Sequence, residues 1–135
     1  MFLKPYETCI RPDEILTEIK FPCLPEGSKT RFLKVGRRNA LVIARLNIAV
    51  SLKTDKKGIV EDIRIAPGSV MPLPCRIIEA EKLLIGQTPN EEIINRASKK
   101  VADTMVEKSG IRASTVYKRP MIEAIIRRAI WECAK

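Results

Sequence analysis

Four cations, Arg31, Lys34, Arg37 and Arg38, crowd around Gly36 in "RFLKVGRRN", and a long aliphatic run, "ALVIARLNIAV", follows them directly. Arginine presents a planar fork of donors that meets an anion or stacks on an aromatic ring, while lysine adds a compact charge. A glycine among them lets backbone approach a ligand closely. The stretch therefore suits a nucleic-acid grip, a clamp for a bound cofactor, or a solvated loop ahead of a buried strand. Nucleic acid is not expected, because only Phe32 lies nearby to stack on a base.

The other reactive residue types form no working set. There is no histidine, and the four cysteines, Cys9, Cys23, Cys75 and Cys133, are scattered without a CxxC pair. A histidine-based metal site and a Ser-His-Asp or Cys-His mechanism are thereby excluded within these residues. No GxGxxG or Walker-type loop is present to cradle a nucleotide phosphate. Asp13 and Glu14 are neighbouring carboxylates, but in a strand they point to opposite faces, so no shared acid–base site is expected. No catalytic residue and no metal ligand is assigned.

Composition sets the frame for these residues. A chain of 135 residues is one domain's worth, read as a single domain over 1–135. With 45% hydrophobic but only 4% aromatic residues, its core must be aliphatic. The formal net charge of +9 invites a nucleic-acid reading, yet the cations are spread along the chain with acids among them. No apolar run approaches the ~20 residues of a membrane span. The opening "MFLKPYETC" lacks the features of a signal peptide, so a soluble, cytoplasmic protein with reduced thiols is expected.

The elements that must position the cations read as strands first and helices afterwards. "DEILTEIKF" alternates, with Ile15, Thr17, Ile19 and Phe21 on one face, and predicts a strand. "PCLPEGSKT" is a loop, "RFLKV" a second strand, and Gly36 its break. "NALVIARLNIAV" fits either period; a strand from about Ile43 is favoured. A turn at Gly58 returns the chain along "IVEDIRIA", with Ile59, Glu61, Ile63 and Ile65 on one face.

In the second half, "RIIEAEKLLIG" predicts a short helix with Ile77, Ala80, Leu83 and Leu84 on one face and Gly86 as its stop. "TPNEEIINRASKKVADTMVEK" predicts a helix capped by Thr88, with Pro89 at its first position and a stripe of Ile93, Ile94, Ala97, Val101 and Met105. "TVYKRPMIEAIIRRAIWECAK" is amphipathic through Met121, Ile122, Ile125, Ile126, Ala129 and Ile130, with Trp131 and Tyr117 in or beside the core. The fold class is α+β, an antiparallel β-sheet with about three α-helices on one face.

Four stretches in order, "PYETCIRPDEILTEIKFP", "FLKVGRRNALVIARLNIAVSL", "GIVEDIRIAPGSVMPLPCRIIEAEKLLIGQ" and "YKRPMIEAIIRRAI", resemble the C-terminal domain of the FAD-binding (medium) subunit of molybdenum hydroxylases. That family includes carbon monoxide dehydrogenase and xanthine dehydrogenase. The resemblance implies a part in an oxidoreductase: substrate is oxidised at a molybdopterin centre, electrons pass iron–sulfur clusters, and FAD hands them to an acceptor. It implies as partners an FAD-binding domain, an iron–sulfur subunit and a molybdopterin subunit. It also implies that the N-terminal FAD-binding domain is absent from this chain, so that FAD is shared with that domain and not held by this chain alone.

Matched by position, Leu16, Phe32, Leu33 and Lys34 resemble residues beside the flavin ring, and Arg37 a basic position near the acceptor's approach. Some relatives carry an acidic or polar residue shortly after the paired arginines; here Asn39-Ala40-Leu41 follow, which leaves the acceptor open and NAD unsupported. The alternative function is a stand-alone basic module for RNA or an acidic protein.

Overall fold

Strands fill the first half of the molecule and helices the second. The computed structural model describes residues 1–38 and 40–135. A hairpin of β1 (Phe2–Lys4) and β2 (Glu7–Thr8) comes first, followed by an antiparallel sheet of β3 (Lys29–Val35), β4 (Leu46–Thr54) and β5 (Val60–Gly68) in that order. Then come α1 (Ile78–Lys82), α2 (Glu91–Ser109) and α3 (Thr115–Ala134). The α+β architecture is the one expected, with the helices gathered on one face of the sheet.

Alternation makes that face. Leu46, Ile48, Val50 and Leu52 of β4 are buried, and Asn47, Ala49, Ser51 and Lys53 between them are not. The turn into β5 is built by Asp55, whose Oδ1 accepts from the backbone N–H of Lys57 and Ile59, both at 2.8 Å, while Gly58 takes a φ of +80°. Lys53 pairs with Asp62 but Thr54 with Val60, so the register skips Glu61. That bulge rephases the strand: Val60, rather than Ile59, joins Ile63 and Ile65 in the core.

Across the buried face, α3 lies on β3 and β4, α1 on β5, and α2 packs against α1 and α3. Ile94, Ala97, Val101 and Met105 of α2 meet Ile122, Ile126, Ala129 and Ile130 of α3 in one aliphatic core. Ile93, Leu83, Met121 and Ile125 sit at its margin. The cap of α2 is Asn90, not Thr88: its side chain accepts from Ile93 N at 3.0 Å, and the helix begins after Pro89 rather than on it. Pro120 lies inside α3, which runs unbroken from Thr115. Trp131 and Tyr117 are on the exposed side of that helix, not in the core.

One buried charge closes the outer edge of β5. Glu81 is 2% exposed; its Oε1 accepts from Ile65 N at 2.8 Å, and its carboxylate also takes Arg76 Nε at 3.0 Å and Nη2 at 2.6 Å. The Arg76 guanidinium is held more firmly protonated by this hydrogen bond, against its partial desolvation. Ile77 N donates to Ile65 O at 3.0 Å, so a carboxylate and a backbone amide stand where a fourth strand would bond.

The first strand expected from sequence is not formed. Residues 14–25 belong to no strand or helix, and Ile15, Ile19 and Phe21 are 85%, 74% and 82% exposed. Nothing within the described residues offers the segment a ladder partner. Asp13 and Glu14 consequently share one side rather than splitting across a strand, both meeting the Arg11 guanidinium, at 3.5 and 3.0 Å. The strand favoured from Ile43 begins only at Leu46.

Candidate functional site

Pleating divides the residues of β3 between two faces. Leu33 lies opposite Ile48 and packs against the core, whereas Phe32 lies opposite Ala49, and Ala49 opposite Ala66, on the outward face. Lys34, Asn47 and Gly68 form the next outward row. A Cβ on Gly68 would run into the Asn47 carboxamide, which lies across it and would have to turn aside. Ala49 and Ala66 make a flat floor, with Phe32 on one side and Arg64 and Arg76 on the other, lining an open groove of about 370 Å³.

Beyond Lys34 the chain turns sharply at Gly36, where a Cβ would overlap the Val42 side chain. Lys34 Nζ donates to Val42 O at 3.2 Å, and Arg38 donates to Leu41 O through Nε at 3.2 Å and Nη2 at 2.5 Å. Two of the four cations are thus fastened to loop carbonyls. A third, Arg31, meets the Glu132 carboxylate of α3 at 3.3 Å. Glu132 sits below the usual carboxylate range, chiefly through its hydrogen bond from Arg128, with Arg31 adding to it.

The fastened loop holds aliphatic side chains out in water. Leu41, at a φ of +47°, is 93% exposed, and Ile43 is 91% exposed. A left-handed backbone at a branched residue stores strain that its surroundings must hold. Arg37, Arg38, Leu41, Val42, Ile43 and Arg45 line an open groove of about 580 Å³, and a smaller neighbouring one shares Arg38 and Val42 and is bounded by Lys34. The departure noted at Asn39 lies outside the described residues.

Of the five residues singled out by resemblance, Phe32 and Lys34 share the outward face, and Arg37 lines the groove next to the one that Lys34 borders. Leu33 is turned to the core. Leu16 is exposed on the irregular N-terminal segment and lines neither the Phe32 groove nor the Arg37 groove. Leu41 and Ile43 were missed because an apolar run reads as core. Ala49 and Ala66 were missed because small residues between buried neighbours carry no chemistry of their own; their outward phase was the available signal. Among the described residues no group of three or more Cys, Asp or Glu is placed to hold a metal ion. No helix among them is long and apolar enough to cross a membrane.

The same arrangement of elements recurs in known proteins. Carbon monoxide dehydrogenase from Hydrogenophaga pseudoflava superposes with a TM-score of 0.85 at 25% identity, covering 98% of this chain and 45% of that one. The glyceraldehyde dehydrogenase medium chain of Sulfolobus acidocaldarius is 32% identical over 134 residues, 98% of this chain and 46% of its own length. The nicotine 6-hydroxylase medium subunit of Paenarthrobacter nicotinovorans is 32% identical over 132 residues, 98% of this chain and 45% of its own. The chain spans just under half the length of these relatives. Residues 31–133 match the family described as the CO dehydrogenase flavoprotein C-terminal domain, and the chain belongs to that family.

Proposed function

We propose that this chain serves as one wall of a flavin site in a molybdenum-dependent oxidoreductase, with the rest of the site on an FAD-binding domain. The observation that supports the reading is the outward sheet face: Phe32 borders a floor of Ala49 and Ala66, and Lys34 stands in the next row of the same face. That flat, small-residue surface fits the edge of a planar ring, whereas the sequence supplies no glycine-rich loop for a pyrophosphate. FAD, when bound, would supply the redox chemistry, accepting electrons from iron–sulfur clusters and passing them to an acceptor.

The chain's own residues bind and shield. Phe32 covers apolar ring surface and keeps water from it. Lys34, steadied by Val42 O, sets a positive charge at the ring's border. Arg37, with Leu41 and Ile43, forms the rim past which an acceptor arrives. Leu16 comes to the ring only if its segment is ordered by a partner, and Leu33 contributes from beneath, through the packing of β3. The partners in this reading are the FAD-binding domain, an iron–sulfur subunit and a molybdopterin subunit, in the cytoplasm. A basic module for RNA gains no support from the family match.

Flavin titration checks the reading. The chain alone should leave flavin fluorescence and visible spectrum unchanged, and the chain mixed with a separately made FAD-binding domain should alter the spectrum. Lys34→Ala with Arg37→Ala should abolish that change. A mixture spectrally identical to the FAD-binding domain alone refutes the proposal.

A further inference from the structure

The loop at 36–45 combines uncompensated positive charge with aliphatic side chains held in water. From Gly27 to Thr54 the chain carries seven lysines and arginines and no Asp or Glu, its longest stretch without an acid. Arg45 N donates to Val35 O at 2.8 Å and closes the base of the loop, and Arg38 donates to Leu41 O. Those bonds occupy donors and leave every charge in place. Among the described residues no carboxylate pairs with Lys34, Arg37, Arg38 or Arg45. At the same end of the sheet, Lys118 of α3 reaches Ser69 O at 2.8 Å and extends the positive field.

We infer that this rim docks an acidic electron-carrier protein, which is the acceptor. That the docked protein takes electrons rests on the flavin-wall reading above; that it is an acidic protein rests on the loop. Leu41 and Ile43 stand out of the loop almost fully exposed, with Arg37, Arg38 and Arg45 along the groove beside them. An apolar centre ringed by cations has the anatomy of a protein–protein contact, and a partner rich in carboxylates supplies the opposite sign. The φ of +47° at Leu41 is strained for a branched residue, and no interior contact offsets that strain, since the side chain is in water. A contact made outside the chain gives the exposed leucine its use.

A nicotinamide dinucleotide fits this loop worse. Such a ligand is held in a concavity that encloses most of its surface, with a carboxylate for the ribose hydroxyls. Here the aliphatic side chains project outward, and the whole stretch lacks a carboxylate. A membrane surface also attracts cations, but anchoring needs a broad apolar face, and the loop offers only Leu41 and Ile43. A one-electron carrier is reduced in two successive dockings for each two-electron oxidation of substrate, and the protons released go to solvent.

The test is binding of the flavin-free chain to an oxidised, acidic [2Fe–2S] ferredoxin as probe, followed by calorimetry and amide chemical shifts. Shifts should centre on Arg37 and on Leu41 to Arg45, and raising salt from about 20 to about 300 mM should weaken binding at least about tenfold. Leu41→Asn with Ile43→Ser should weaken it about tenfold or more at constant charge. The urea midpoint should hold or rise in that variant, because Asn tolerates the left-handed backbone. Arg37→Glu with Arg45→Glu should abolish binding. Four results overturn the inference: no binding; binding that ignores Leu41→Asn with Ile43→Ser, which would be bulk attraction to a basic chain; shifts at the loop with NADH or NADPH instead; or binding instead to vesicles of phosphatidylglycerol and phosphatidylcholine. Ferredoxin binding that meets every expectation while flavin spectra ignore Lys34→Ala with Arg37→Ala would refute only the flavin wall. Spectra that obey those variants without ferredoxin binding would refute only the acidic carrier.

Discussion

The packed body of this protein and its N-terminal segment are written in similar apolar language with opposite results. In β4, Ile48 lies at every-other-residue spacing and is fully buried under α3. In the segment 13–21, Ile19 sits in an equally regular alternation and is 74% exposed. Sequence periodicity specifies which side of a strand is apolar; it says nothing about whether the covering layer is in the same chain. The loop at 36–45 stands between these cases, since Leu41 and Ile43 are held out by neighbours that are themselves well fastened.

The largest effect should come from a matched pair across that contrast. Ile48→Ala removes a fully buried side chain from the sheet's central strand and should cost about 2–5 kcal/mol. Ile19→Ala should stay within about 0.5 kcal/mol in the lone chain, having no contacts of comparable burial to lose. Urea unfolding of both variants checks this. Equal losses would mean that the segment packs on the body in solution, and the comparison would fall.

An intermediate effect is expected at Glu81. Its carboxylate is the partner of a buried amide on the β5 edge, so Glu81→Ala strands Ile65 N–H without an acceptor. The expected cost is about 1–3 kcal/mol, with Arg76 adding little because its side chain already reaches solvent. The Ile65 amide should exchange faster together with the drop in urea midpoint. An unchanged amide would show that backbone relaxation, not the carboxylate, closes that edge.

Elements with both partners in the chain were legible: β3 from "RFLKV", the hairpin at Gly58, and the facing stripes of α2 and α3. Misreadings trace to local competition. Thr88 and Asn90 are both good caps two residues apart, and Asn90 wins because its side chain reaches Ile93 N after Pro89 has been passed. Glu61 breaks the phase of β5 at a bulge that alternation cannot announce. The burial of Glu81 had no local signal, since it depends on Arg76 and on an amide sixteen positions away. In the candidate site, Lys34 and Phe32 were named from charge and resemblance, whereas the inward turn of Leu33 and the outward hold on Leu41 and Ile43 follow from sheet pairing and loop carbonyls.

The smallest effect concerns how β3 is tied to α3. Glu132 receives Arg128 from its own helix at 2.7 Å and Arg31 from β3 at 3.3 Å. Its folded-state affinity for protons is lowered, first by the Arg128 hydrogen bond, which outweighs the opposing desolvation, and then by the charges of Arg128 and Arg31. A carboxylate lowered in the folded state stabilises the fold above its unfolded pKa of 4.5 and loses that contribution as pH falls through the folded value. The pair is solvent-screened, so the effect should be a shallow slope below pH 4.5, not a transition. Glu132→Gln should flatten that slope and leave the urea midpoint at neutral pH almost unmoved, and added salt should flatten it likewise. A wild-type slope that survives Glu132→Gln would show that the tie between β3 and α3 carries none of the acid sensitivity, and that β3 is held to α3 by the packing of Leu33 and Val35 against the core instead.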